Sequence, residues 1–123
     1  MKKGNVFLLD LEFEYRLWKK RLELFMRELR IFCDRNDEVR LMKGRKELEA
    51  LKIDAIMVHR KALETLLNRI KVQEQELQYY NKDFPITEMH QYFVDHIELR
   101  DQMQRILNEH LQISDELLND LSI

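Results

Sequence analysis

Residues that punctuate or cross-link a chain are scarce in this sequence of 123 residues, which holds two glycines, one proline and one cysteine. With so few turn formers, a many-stranded sheet with tight connections is excluded, and few, long helices are favoured. Two isolated glycines cannot build a phosphate-cradling loop. The two serines, Ser114 and Ser122, lack the glycine-rich elbow that exposes a nucleophile. Cys33 has no second thiol to pair with and follows Ile31 and Phe32, so it reads as a buried, reduced side chain.

No apolar run reaches the roughly 20 residues of a membrane span. Lys2 and Lys3 before Val6-Phe7-Leu8-Leu9 look like the start of a signal peptide, but Asp10, Glu12 and Glu14 interrupt it. A cytoplasmic protein is expected. Glu-x-x-His, His-x-x-x-His and His-Glu-x-x-His are all absent, which removes the usual ways of placing two metal ligands on one helical turn. No cofactor is assigned and no enzymatic activity is expected.

Periodicity is what the chain has in abundance. Leu8, Leu11, Tyr15, Trp18, Leu22, Phe25, Leu29, Phe32, Asn36 and Val39 follow one another at alternating spacings of 3 and 4, the seam of a long amphipathic helix. The first nine are the expected interaction residues, carrying packing within the chain or against a partner. A second column, Leu17, Leu24 and Ile31, repeats every seven residues. Between the columns runs a charged row, Glu14, Arg21, Glu28 and Arg35. Such a helix is expected to touch more than one neighbour, with the charges setting alignment. Asn36 either specifies register from within the seam or belongs to a turn over 34–38.

Lys43 and Lys46 break the seam around Gly44, and the apolar pattern resumes in a new register at Ile53, Ile56, Leu63, Leu67, Ile70 and Leu77. Arg60 and Glu74 fill its two skipped positions. The change of register favours a reversal at Gly44, while one helix continuing through the glycine stays open. Pro85 ends the second helix by about residue 82. In the third, Tyr92, His96, Leu99, Met103, Ile106, His110, Ile113 and Leu117 form one column, and Ile86, Phe93, Ile97, Leu107, Leu111, Leu118 and Leu121 another.

The reading is all-α: one domain over residues 1–123, an antiparallel bundle of three long helices near 6–42, 46–81 and 86–121 with coiled-coil-like packing, completed by dimerisation or a partner helix. Asn5 is the expected cap of the first helix and Asp83 or Thr87 of the third, and no strand pattern stands out. Nine Lys/Arg against six Asp/Glu in residues 1–35 turn into two against eight in residues 86–123. The acidic last third gives no reason to expect nucleic acid, and the cluster Arg16, Lys19, Lys20 and Arg21 reads as a solvated face.

The expected function is association through helices, as a homodimer or with a partner helix. The alternative is a metal-binding or redox bundle. Reversals centred on Gly44 and Phe84 would bring Glu28, His59 and His110 to one level, with Ala55 and Ala62 leaving room beside His59.

Overall fold

The computed structural model describes residues 5–42, 47–80 and 86–122. Three helices, α1 (Leu8–Arg40), α2 (Ala50–Glu76) and α3 (Gln91–Asp120), pack against one another as an all-α bundle. A single 3-10 turn over Leu77–Tyr79 extends α2. Two short strands, β1 (Asn5–Val6) and β2 (Ile86–Thr87), pair antiparallel with Asn5 opposite Thr87 and Val6 opposite Ile86.

All ten seam positions of α1 are buried, from Leu8 to Val39. The side chains at alternating spacings of 3 and 4 stay on one face because α1 runs unbroken for 33 residues. Helix α1 continues through 34–38, so Asn36 belongs to the seam and not to a turn. Its buried Oδ1 accepts the Leu48 backbone N–H at 2.7 Å, which ties the segment entering α2 back onto α1. The chain does reverse between α1 and α2: Arg40 pairs with Glu47 at 3.0 Å, and at the far end Lys19 pairs with Glu74 at 2.7 Å. Gly44 itself lies outside the described residues.

The second reversal has the expected register. His59 meets His110, Lys52 meets Glu116, and Arg69 meets Gln102. Helix α3 therefore runs parallel to α1 and beside it, as Glu14 to His96 and Glu28 to His110 show.

Several local expectations are corrected. The helices are shorter than 6–42, 46–81 and 86–121, because β1, β2 and residues 47–49 are not helical. Asn5 lies in β1 and does not cap α1, whose N-cap is Phe7 in extended conformation with no side-chain cap. Thr87 lies in β2; His90 caps α3 instead, its Nδ1 accepting the Tyr92 backbone N–H at 3.1 Å. Asp83 falls outside the described residues. In α2 the buried face is Ile56, His59, Leu63, Leu66, Leu67, Ile70 and Gln73. The skipped positions of its seam are thus taken by His59 and Gln73, not by Arg60 and Glu74, and Ile53 is exposed. Polar residues can hold core positions when their hydrogen bonds are made inside.

Candidate functional site: two buried histidine layers

Helices α1 and α3 share a 14-residue interval: Glu14 and Glu28 on one, His96 and His110 on the other. Parallel helices of equal rise keep such pairs level, so the interval produces two polar layers about 21 Å apart at 1.5 Å per residue.

In the first layer His96 is wholly buried, stacked on Trp18 with ring centroids 5.0 Å apart and edge-on to Tyr15 at 4.8 Å. Its Nε2 lies 2.5 Å from Glu14 Oε1, and the Arg100 guanidinium grips the same carboxylate at 2.8 and 2.9 Å. Burial pushes the His96 pKa down, and the bond to Glu14 only partly opposes that. Burial would raise Glu14, yet hydrogen bonds from Arg100 and His96 outweigh it and hold the carboxyl below its usual range. The neutral His96 therefore donates from Nε2 to Glu14, leaving Nδ1 buried without a partner.

Beside this layer the Tyr15 hydroxyl donates to the Tyr92 hydroxyl at 3.2 Å, and the Tyr92 hydroxyl donates to the Gln73 carbonyl. Gln73 Nε2 returns a bond to the Tyr92 carbonyl at 3.2 Å. Tyr92 and Gln73 thus each donate to the other's backbone carbonyl, which holds Gln73 in a core position. Burial foremost raises both phenols, Tyr92 to about 12.

In the second layer Glu28 Oε1 accepts from His110 Nε2 at 2.9 Å, and His110 Nδ1 lies 3.0 Å from His59 Nε2. Phe25 stacks on the His110 ring at 4.1 Å. Burial, and then the neighbouring His110, lowers the pKa of His59 to about 4. The Glu28, His59 and His110 level expected from the two reversals is therefore assembled, but as a line. Glu28 bonds one edge of the His110 ring and His59 the other, so the three donors do not converge on one point. Among the described residues no group of three or more His, Cys, Asp or Glu side chains is arranged to hold a metal ion.

The expected interaction residues Leu8, Leu11, Tyr15, Trp18, Leu22, Phe25, Leu29, Phe32 and Asn36 all lie in the core of the single chain. The second column does not: Leu17, Leu24 and Ile31 are exposed, the last two by 45% and 61%. Leu111 and Leu118 of α3 are exposed as well. His96 was legible only as a member of its column. The interval it shares with Glu14 and the second layer was the signal that could have found it.

Among the described residues no helix is long and apolar enough to cross a membrane. Comparison with protein-family models, with curated proteins and with solved structures finds no match.

Proposed function

We propose that this protein works by self-association, burying the open face of α1 and α3 against the same face of a second copy. The observation that carries the reading is the exposed column Leu17, Leu24 and Ile31. On the heptad lattice it lies just outside the charged row whose Glu14 and Glu28 reach α3, so it shares a face with Leu111 and Leu118 of α3. Several large apolar side chains left exposed on one face in this way mark an interaction site.

Charge selects the occupant. Beyond the apolar strip the α1 edge carries Lys20 and Arg27, and the α3 edge carries Asp101 and Asp115. A two-fold axis along the helices would set α1 of one copy against α3 of the other, so that each basic edge meets an acidic one. The antiparallel arrangement would stack basic edge on basic edge.

Light scattering after size-exclusion chromatography tests this over a range of concentrations. Twice the chain mass of 15.2 kDa is expected for the native sequence, and a monomer for Leu24→Glu with Ile31→Glu. Reversing Lys20 and Arg27 to Glu should weaken the dimer, and adding Asp101→Lys with Asp115→Lys should restore it. A monomer at every concentration, or a dimer indifferent to Leu24→Glu with Ile31→Glu, overturns the proposal.

A further inference from the structure

The line Glu28, His110, His59 ends at a cavity. His59 lines a hollow of about 430 Å³ between α2 and α3, on a different face from the one proposed for self-association. Ala55, Ala62 and Ile113 form its apolar wall, and Glu109 and Glu116 stand at its rim. The small side chains at 55 and 62, one turn to either side of His59, are what leave the space. A neighbouring hollow of about 490 Å³ shares Val58, Ala62 and Glu109, but Lys61, Arg69 and Arg105 line it, so the end without a lining cation is the one at His59.

The chemistry of the line sets what His59 presents there. Glu28 as a carboxylate only accepts, so His110 must carry its proton on Nε2. In the uncharged pair His110 Nδ1 is then a lone pair, which His59 must meet with an Nε2 proton. The remaining nitrogen of His59, Nδ1, is left as an acceptor. Among the described residues it has no hydrogen-bond partner, and His59 lines the hollow although the residue is only 4% exposed. The carboxylate behind the two rings anchors this polarity, as a carboxylate does for a metal-bound or catalytic histidine.

Every polar group offered by this hollow is thus an acceptor or an amide: one imidazole lone pair, two carboxylates and Gln112. No Lys or Arg lines it. Glu116 already receives Lys52 at 3.3 Å, which leaves Glu109 as the anion nearest a newcomer. Apolar walls, a fixed acceptor and negative charge together ask for a ligand with an apolar body, an N–H donor and positive charge. We propose that the hollow at His59 binds small amphipathic primary ammonium ions, with the N–H donated to His59 Nδ1 and the charge set against Glu109. The volume falls within the range of small-molecule sites. The proposal does not depend on self-association.

The test uses hexylammonium and trimethylhexylammonium chloride as probes, titrated at about pH 8 into the full chain labelled with 15N. The first probe has charge and donors; the second has charge alone. Hexylammonium should bind at least about tenfold more tightly, the discrimination expected of one hydrogen bond to a buried group. It should also move the His59 Nδ1 resonance from that of a free lone pair. Hexanoate should not bind. Ala62→Leu, which fills the hollow without touching the histidine line, should abolish hexylammonium binding. His59→Phe should equalise the two ammonium ions, and if that variant unfolds, the Nδ1 resonance and Ala62→Leu still decide. Equal affinities, no binding, an Nδ1 that carries the proton in the free protein, or binding unchanged by Ala62→Leu would each overturn the site.

Discussion

Protonating His59 places a charge among apolar side chains and beside a second imidazole, and burial is the larger of the two penalties. Its folded pKa of about 4 lies below the unfolded value of about 6.5, so the unfolded chain binds more protons between those limits. The stability it contributes is complete above about pH 6.5 and is lost as pH falls through that window, on the order of 3 kcal/mol in all. His96 is shifted the same way and adds to the loss. Glu14, held low, adds its own only in more acidic solution. Urea unfolding at about pH 7.5 and 4.5 should show a clear drop, and His59→Gln should shrink it; an unchanged pH dependence in the variant would remove His59 from the account. Asn36 offers a second residue-scale prediction. Asn36→Ala leaves the Leu48 N–H without its acceptor, which should lower stability by about 1–3 kcal/mol in the same assay. Asn36→Asp keeps an acceptor and should cost less.

At the scale of the element, α1 is organised by large rings that back the two layers. Trp18 stacks on His96 and Phe25 on His110, so each aromatic packs against a histidine that a carboxylate holds from the same helix. Trp18→Ala should destabilise the fold by about 3–5 kcal/mol, through the cavity left beside a fully buried imidazole. A denaturation midpoint unmoved by that change would place Trp18 outside the core. The ten-position seam was legible in the sequence because a regular helix turns a fixed spacing into a fixed face. The α2 seam was only half legible: His59 holds a core position with its Nε2 bonded to His110 and Gln73 with its Nε2 bonded to the Tyr92 carbonyl, and those partners lie 51 and 19 residues away. Apolar counting along α2 passes over both and points to Arg60, which is exposed, and to Glu74, which is half-buried and paired with Lys19.

At the scale of the molecule, the two reversals and the parallel course of α1 and α3 bring like levels together. Partner arithmetic from Gly44 and Phe84 was enough to place Glu28, His59 and His110 at one layer. It could not give the order of the bonds, which depends on how each ring is turned. The pairing of β1 with β2 joins residues 80 and 82 apart and was invisible, since two-residue strands carry no periodicity. That pairing fixes the start of α1 beside the entry to α3. Its removal by Val6→Pro should loosen that end of the bundle first, seen as faster amide exchange at Leu8 to Leu11 than at Phe25 to Leu29.

That the chain is helical, that α1 buries one particular face, and which levels of the three helices meet could all be read from residue order. These follow from local rules: residue spacing sets the face, and connection length sets the register. Which apolar columns are covered, which polar residues enter the core, and that the histidine line ends at an open cavity emerge from the packing of the three helices. Coverage depends on how many neighbours a helix has and at what angle they lie around it. A helix carrying two apolar columns reads the same whether both are covered or one is left open, and here Leu17, Leu24 and Ile31 are left open.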